Sequence, residues 1–160
     1  EPCEPSLFTP DRYPNELDRS VLQFFEPHRL LEYIHDFIIF DGGRKKTARP
    51  NQYFAIKAAQ PRVRNKENGI IWHSQGAGKS LTMVWLAQWI RENVVDARVV
   101  VITDRDELDK QIETGFKDAG EKIRRARSGA QLVSMLNEAE PWLICTLIHK
   151  FGNRSEGRKR

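Results

Sequence analysis

The chain has 160 residues, of which 39% are hydrophobic and 30% are charged, and it carries a formal net charge of +4 at pH 7. This composition excludes an intrinsically disordered chain and fits one modest globular domain or a part of a larger protein. No apolar stretch approaches the roughly 20 residues that a transmembrane helix needs. Cys3 and Cys145 lie far apart without C-x-x-C spacing, so they indicate a reducing, cytoplasmic setting and no metal cluster. Because the chain begins at Glu1 and shows no signal-peptide pattern, we expect it to be a piece of a longer protein.

The N-terminal part of the chain predicts an irregular start, two helices and a strand. Residues 1–15 hold four of the eight prolines and little periodicity. Apolar residues at helical spacing predict helices over residues 16–25 and 28–36. We expect the apolar residues of the second helix to face inward: Leu30, Leu31 and Ile34. The apolar run 37–40 then predicts a strand, which Asp41-Gly42-Gly43 ends.

The middle of the chain predicts a helix, a strand, a glycine-rich loop and a second helix. Asn51 is the candidate N-cap of a helix over residues 52–63, which Pro61 should end or kink. The short apolar run 70–72 predicts a strand. Residues 81–92 are apolar on nearly all sides and predict a largely buried helix.

The C-terminal part predicts two more strands and two more helices. Residues 98–103 show no alternation, as in a parallel strand covered on both faces, and residues 142–146 form a third buried strand. Cys145 lies in the latter run and is expected to be a buried small hydrophobe, not a nucleophile. Helices are predicted over residues 106–116 and 128–139. The second of these should turn three apolar residues inward: Leu132, Val133 and Leu136.

The most informative stretch is G-I-I-W-H-S-Q-G-A-G-K-S, residues 69–80. A strand, a glycine-rich turn and a helix in this order form a phosphate-binding P-loop. Gly76 and Gly78 let the backbone curl so that N–H groups face a phosphate, and the helix N-terminus adds partial positive charge. Lys79 is the candidate for the β- and γ-phosphates, and Ser80 is the candidate ligand of Mg²⁺. Because His73 replaces the first glycine of the strict pattern, a helix-capping turn that contains Lys-Ser by chance is the alternative.

ATP hydrolysis also needs an acidic residue that organises Mg²⁺ and the attacking water, and the sequence offers one candidate. Asp104 follows the predicted strand 98–103, with Glu107 three residues later. However, Arg105 places a positive charge beside Asp104, and no Asp-Glu pair follows the strand. A loop or helix-cap role for Asp104 is the alternative.

Basic residues occur in three clusters, which permit a polyanionic partner. The clusters are Arg44-Lys45-Lys46 with Arg49, Lys122-Arg124-Arg125-Arg127, and the segment Arg154–Arg160. Solvated surface loops explain any one cluster equally well.

Separated sequence blocks between residues 16 and 152 carry a family resemblance. The chain resembles the motor (restriction, R) subunit of type I restriction–modification enzymes, a superfamily 2 helicase-like DNA translocase. F-F-E-P-H-R-L-L-E-Y-I-H-D-F-I-I-F resembles the segment that precedes the motor, A-R-P-N-Q-Y-F-A-I its Q-type motif, and the P-loop its motif I. V-V-V-I-T-D-R-D-E-L-D-K-Q-I resembles motif Ia, and I-C-T-L-I-H-K-F resembles the segment before the family's Asp-Glu-Cys-His box.

The resemblance implies roles residue by residue, with ATP and Mg²⁺ as cofactors. Lys79 is implied to be catalytic and Ser80 to bind the metal. The implied ATP-binding residues are Gln52, Gln75, Gly76, Ala77, Gly78, Lys79, Ser80 and Leu81. The implied DNA-binding residues are Thr103, Asp104, Arg105, Thr146 and Lys150. Gln52 would recognise the adenine edge, or be a polar residue in a first helical turn, and Arg105 is the strongest candidate for a phosphate contact.

The fold implied is a P-loop, RecA-like α/β lobe with an open parallel sheet flanked by helices. The implied domains are an irregular lead-in (1–15), a helical linker segment before the motor (16–50), a partial RecA-like ATP-binding lobe (51–151) and a disordered tail (152–160). The family's Asp-Glu-Cys-His box, second RecA-like domain and nuclease core do not occur in this sequence. We therefore expect this piece to be inactive alone.

For the parent protein, the resemblance implies an ATP-dependent type I site-specific deoxyribonuclease in the cytoplasm of a bacterium or archaeon. Its implied partners are double-stranded DNA and the methyltransferase (M) and specificity (S) subunits. Two other interpretations stay open at this point. One is a different P-loop enzyme, such as a small kinase or GTPase-like switch with Asp104 as metal ligand. The other is an interaction module whose basic clusters bind nucleic acid without turnover.

Overall fold

The computed structural model describes residues 15–151, without the side chains of residues 18–20 and 41. The predicted lead-in up to residue 14 and the predicted tail 152–160 therefore lie outside the described residues. Two short helices come first, α1 (Glu16–Phe24) and α2 (Pro27–Asp36). Glu26 caps α2 by accepting hydrogen bonds from the backbone N–H groups of Arg29 (2.8 Å) and His28 (3.2 Å). These two bonds hold the pKa of the Glu26 carboxyl below its usual value.

The prediction that the apolar residues of α2 face inward is wrong for two of the three. The Leu31 and Ile34 side chains are 65% and 53% exposed, whereas Leu30 is half-buried. The helix packs on the core through Tyr33, which stacks on Phe37 with ring centroids 5.8 Å apart. Helical spacing alone does not show which part of an apolar stripe the core covers.

A β-hairpin follows, made of β1 (Ile38–Asp41) and β2 (Arg44–Thr47) paired antiparallel. Gly42 (φ +58°) and Gly43 (φ +77°) occupy the turn, and two consecutive positive φ values are those of a tight two-residue hairpin loop. The sequence predicted the first strand. It missed the second, because the residues R-K-K-T have weak intrinsic strand preference and pair only because β1 lies beside them.

Two long helices form the centre of the molecule, α3 (Pro50–Arg64) and α4 (Lys79–Asn93). Arg49, not Asn51, is the N-cap of α3, so the predicted cap is wrong by two residues. Pro50 takes the first helical position, where a missing N–H costs nothing. Pro61 lies in the last turn and does not end the helix. The prediction of a largely buried α4 is confirmed, since Val84, Trp85, Ala87 and Trp89 are buried.

The sheet contains three parallel strands in the order β3 (Val99–Thr103), β5 (Leu143–Leu147) and β4 (Ile123–Arg125). Between them the chain forms α5 (Asp106–Asp118) and α6 (Gly129–Asn137), and β5 leads into a 3₁₀ turn over Ile148–Phe151. The predicted α/β class with a parallel sheet flanked by helices is confirmed. The short basic strand β4 was not predicted. In α6, Leu132 is buried as expected, but the inward orientation predicted for Val133 and Leu136 is wrong, since both are exposed. The other buried residue of this helix is Met135.

The strands differ in burial. All five residues of β5 are buried, which confirms the predicted burial of this strand. The expectation that β3 is covered on both faces is wrong: its residues are half-buried up to Val101, and Ile102 is 51% exposed. The reason is that β3 is an edge strand of the described sheet. Burial raises the pKa of the Cys145 thiol in β5 to about 12, as expected of a structural cysteine.

The predicted strand before the P-loop is also wrong. Residues 70–72 have no regular secondary structure, and Ile70 and Trp72 are 91% and 90% exposed. A strand needs a neighbour whose N–H and C=O groups complete its hydrogen bonds. Within residues 15–151, no strand pairs with this run.

The main core joins the hairpin, α3, α4, α5 and the sheet, whereas Leu132 and Met135 of α6 lie in a second cluster with Ala126 and Ile144. It combines Phe37 and Ile39 beside the hairpin with Ile56 of α3, Trp85 of α4 and Phe116 of α5, and it continues under the sheet at Leu143 and Cys145. In the described part, no helix combines the length and apolar character that crossing a bilayer requires.

Candidate functional site: a phosphate-binding loop

The loop that enters α4 has the curled backbone of a P-loop. Gly76 (φ +79°) and Gly78 (φ +81°) both adopt the left-handed conformation that side-chain-bearing residues avoid. Between them, the Ala77 N–H donates to the Ser74 carbonyl at 3.3 Å. The loop ends at Gly78, the N-cap of α4, so the free N–H groups of the helix terminus open directly onto it.

The Lys79 side chain folds back onto this loop. Its ammonium group donates to the carbonyl oxygens of Ser74 (2.9 Å) and His73 (3.1 Å), and the residue is exposed. The cation is therefore held against two carbonyl groups of its own loop. Ser80 and Leu81 follow in the first turn of α4 and are half-buried, and Gln75 is exposed at the turn.

Gln52 holds the loop from behind. This side chain is 2% exposed; its Nε2 donates to the Gly78 carbonyl at 2.9 Å, and its Oε1 accepts from the Arg49 N–H at 2.8 Å. The Gly78 carbonyl also accepts from the backbone N–H of Thr82 (3.1 Å) and from its hydroxyl (3.2 Å). A Cβ atom on Gly78 would lie 2.4 Å from Gln52 Nε2. Glycine is thus required at position 78 by both conformation and space.

A cavity of about 490 Å³ opens beside the loop, within the usual size range of small-ligand sites. It is lined by Arg49, Asn51, Trp72, His73, Ser74, Gln75, Gly76 and Ala77. The structure therefore brings the N-terminal turn of α3 to the P-loop, where the Asn51 amide donates to the Ala77 carbonyl at 3.4 Å. Sequence analysis missed Arg49 and Asn51 as members of the site. Both residues lie within three positions of Gln52, which could have suggested that they are near the loop. Proximity in sequence does not show, however, which side of the helix faces the loop.

The predicted DNA-binding residues lie at the carboxyl ends of β3 and β5. The two strands are parallel neighbours with Thr103 paired to Leu147, so these ends meet at one edge of the sheet. Asp104 and Arg105 are strongly exposed there, with side chains 70% and 80% accessible, and their charged atoms are 3.7 Å apart. The arginine beside Asp104 disfavours a metal ion at that carboxylate, because two cations would compete for it.

The other predicted DNA-binding residues have less surface. Thr103 is 6% exposed, and its hydroxyl donates to the buried carboxylate of Asp109 at 3.5 Å. Thr146 is fully buried in β5, so its hydroxyl has no surface to offer a ligand in this arrangement. Lys150 is half-buried in the 3₁₀ turn that follows β5.

A charged network anchors the segment after β3. Arg125 of β4 donates to Asp109 and Asp106 of α5, and Asp109 has no exposed surface. The bond to Asp109 is the main cause that raises the pKa of the Arg125 guanidinium. Hydrogen bonds from Lys110, and then from Arg125, lower the pKa of the Asp106 carboxyl. Because α5 begins directly after Arg105, this network positions the exposed pair Asp104-Arg105 at the sheet edge.

Comparisons with known proteins add two findings. The family described as SWI2/SNF2 ATPase matches residues 51–160, which include the P-loop, the sheet and all predicted site residues. Within that range lie both Gln52 and the exposed pair Asp104-Arg105.

The chain is also similar to curated endonuclease subunits of type I restriction enzymes, which confirms the resemblance stated from the motifs. It is 32% identical over 152 residues to the MjaIXP subunit of Methanocaldococcus jannaschii, covering 88% of this chain and 14% of the relative. It is 30% identical over 147 residues to the SauCOLORF180P subunit of Staphylococcus aureus, covering 89% and 16%. For the HindI subunit of Haemophilus influenzae the identity is 27% over 183 residues, covering 94% and 17%. The chain thus spans about one seventh of the length of these relatives.

Proposed function

Because the chain belongs to the SWI2/SNF2 ATPase family, we propose that it is the ATP-binding portion of the DNA-translocating endonuclease subunit of a type I restriction enzyme. The observation that carries the proposal is the placement of Lys79. Its ammonium group donates to two carbonyl oxygens of a loop curled by two left-handed glycines, at the N-terminus of a buried helix. The similarity to endonuclease subunits in three organisms supports the restriction context.

Nucleotide binding follows from the residues of the loop. Two features support a triphosphate: the N-terminus of α4 opens onto the loop, and the adjacent cavity has the size of a small-ligand site. Backbone N–H groups from Gln75 to Leu81 would bind the phosphates together with Lys79, and the Ser80 hydroxyl would hold Mg²⁺. ATP supplies the phosphoryl bond whose hydrolysis releases free energy for movement along DNA.

Gln52 takes a structural part in this proposal. Its amide connects the first turn of α3 with the carbonyl of Gly78, so it holds the P-loop in its curled form. Contact with the adenine edge, which the family resemblance implies, stays a prediction. It would require the buried amide to share its second N–H or to rotate away from its present partners.

DNA contact is proposed at the edge formed by β3 and β5. Arg105 is the best placed residue, because its guanidinium is exposed at a strand end and can reach a phosphate. Thr103 and Asp104 precede it in the chain, Thr146 is buried in the neighbouring strand β5, and Lys150 lies in the 3₁₀ turn after β5. The parent protein is proposed to act on double-stranded DNA with M and S subunits in the cytoplasm of a bacterium or archaeon. This chain alone is proposed to be inactive, because neither an Asp-Glu-Cys-His box nor a second RecA-like lobe occurs in its sequence.

Lys79→Ala in the full-length protein tests the proposal. We expect ATP hydrolysis and DNA cleavage to be lost, because the phosphate-binding cation is removed, while the melting temperature stays close to that of the wild type. Lys117→Ala is the matched control, since Lys117 is an exposed lysine on α5 paired with Glu113 and far from the loop in sequence. If Lys79→Ala leaves both activities intact, the assignment of Lys79 is wrong.

A further inference from the structure

The hairpin β1–β2 is a small basic ribbon that the proposed nucleotide site does not use. Of the twelve residues from 38 to 49, four are basic (Arg44, Lys45, Lys46 and Arg49) and Asp41 is acidic. The ribbon is hydrogen-bonded to no other strand among the described residues. Its position is nonetheless fixed, because Ile39 is buried in the main core and the Ala48 N–H donates to the Phe37 carbonyl at 3.0 Å.

The two faces of the ribbon differ. Strand alternation and the register place Ile39 and Lys46 on the face that packs on the core. Phe40 and Lys45 are register partners on the opposite face, where Phe40 is 60% exposed and Lys45 is also exposed. Arg44 is a second exposed cation next to the turn, and the same alternation places it on the face of Lys46. The outward face thus combines an aromatic ring with adjacent positive charge.

Arg44 and Lys45 differ from the exposed lysines of α5. Those lysines pair with carboxylates, as in Lys110–Asp106 and Lys117–Glu113. Among the described side chains, neither Arg44 nor Lys45 forms an ion pair. A concentration of uncompensated positive charge attracts a polyanion.

We propose that the hairpin β1–β2 is a second DNA-binding element, separate from the sheet edge at Arg105, and that its outward face enters a groove of duplex DNA. The major groove of B-form DNA admits a two-stranded antiparallel ribbon. Arg44 and Lys45 contact phosphates on the groove walls, and Phe40 packs on the sugar and base edges. Since the ribbon ends two residues before Arg49, which lines the cavity beside the P-loop, DNA held there lies next to the nucleotide site. This inference rests on the proposed DNA-translocating function.

The test uses the full-length protein and a 20-base-pair duplex of arbitrary sequence, without nucleotide, by fluorescence anisotropy at 50 to 200 mM salt. Each phosphate contact steepens the fall of affinity with salt. For the Arg44→Ala/Lys45→Ala variant we expect the slope of log affinity against log salt to fall by about two, with binding about tenfold weaker at 50 mM salt. Phe40→Ala should weaken binding and leave the slope unchanged, because its contact is not electrostatic.

Lys122→Ala/Arg124→Ala is the matched control, since it removes two exposed basic residues from β4 and the position before it. Both double variants lower the net charge equally, so an equal loss of affinity in the two would overturn the proposal. Unchanged DNA affinity of the hairpin variant would also overturn the proposal. If that variant instead self-associates, the charges of the hairpin serve only to protect an exposed strand edge from pairing.

Lys79→Ala, measured in the same way, should bind DNA as the wild type does, because the experiment contains no nucleotide. A failure of the ATP-binding assignment therefore leaves the hairpin result standing, and a failure of the hairpin leaves the ATP-binding assignment standing. If Phe40→Ala binds as the wild type does, the insertion of the outward face into a groove is overturned.

Discussion

Two regions of this molecule have similar apolar sequence and opposite structures. Leu143–Leu147 forms the central strand of the sheet, and all five residues are buried. Residues 70–72, I-I-W, are just as apolar but form no strand, and two of them are at least 90% exposed. The difference is the neighbourhood, because β5 has a hydrogen-bonded strand on each side and residues 70–72 have none within the described chain. Hydrophobicity marks a segment that benefits from burial, and pairing decides whether burial happens.

The largest expected effect contrasts these two segments directly. Leu143→Ala should lower the free energy of unfolding by about 2–5 kcal/mol, because it leaves a cavity in a fully buried strand. Ile70→Ala should change it by less than about 0.5 kcal/mol, because that side chain already contacts water. Urea denaturation of the 160-residue chain measures both. Equal losses in the two variants would show that residues 70–72 are packed in solution.

The next largest effect concerns the P-loop. Its shape is maintained by backbone conformation and by the buried Gln52 amide, whereas β5 is maintained by hydrogen bonds to neighbouring strands. Gly76→Ala should cost about 1 kcal/mol, because it forces a side chain into a left-handed conformation but meets no neighbour. Gly78→Ala should cost at least about 2 kcal/mol, since its Cβ also collides with the Gln52 amide. Denaturation curves of Gly76→Ala, Gly78→Ala, Gln52→Ala and Gly78→Ala/Gln52→Ala measure these costs. If Gly78→Ala costs as much free energy of unfolding without the Gln52 side chain as with it, the clash is not the cause.

A chemical probe sharpens the description of β5. In a Cys3→Ser background, Cys145 is the remaining thiol, and its pKa of about 12 leaves little thiolate at pH 8. Relative to the ordinary value of 9.0, iodoacetamide should alkylate it about a thousandfold more slowly in the folded chain than in urea. Mass spectrometry of timed samples measures the rates. Rapid labelling of the folded chain would mean that β5 opens readily.

The smallest expected effect is a pH dependence at the surface. The hydrogen bond to Asp36 raises the pKa of the His35 imidazole above 6.5, so the ion pair contributes fully below pH 6.5. That contribution is lost as the pH rises through the higher folded-state pKa. The wild type should therefore lose slightly more melting temperature than His35→Gln between pH 6 and pH 8. The difference is small because the His35 side chain is 74% exposed.

The elements that the sequence predicted well are those whose pattern is long and local. α3, α4 and α5 have several turns of periodic or continuous apolar residues, and the curl at Gly76 and Gly78 follows from glycine's conformational freedom. The strands β2 and β4 escaped prediction because each has three or four residues, mostly basic. Such a segment becomes a strand only when it pairs with another strand, either across a turn, as β2 does with β1, or far away in the sequence, as β4 does with β5.

The candidate site shows the same division. Gln75, Gly76, Gly78, Lys79 and Ser80 are contiguous, so one local motif was sufficient to predict where they meet. Arg49 and Asn51 belong to the cavity wall because α3 packs beside α4, and that packing depends on buried side chains spread over the whole core. For the same reason, sequence analysis could not tell that Thr103 and Thr146 lie mostly beneath the surface while Asp104 and Arg105 stand above it.

The amino-acid sequence by itself determined the α/β class, the position of the glycine-rich loop before α4 and the family, because these depend on short-range pattern and on motifs that neighbouring residues complete. Tertiary structure alone decided which apolar faces are covered, which short basic segments pair as strands, and that the Gln52 amide supports Gly78 from behind. These features depend on contacts between residues far apart in the chain. The free energy that stabilises them comes from contacts with a distant segment, and a local sequence pattern carries no information about that segment.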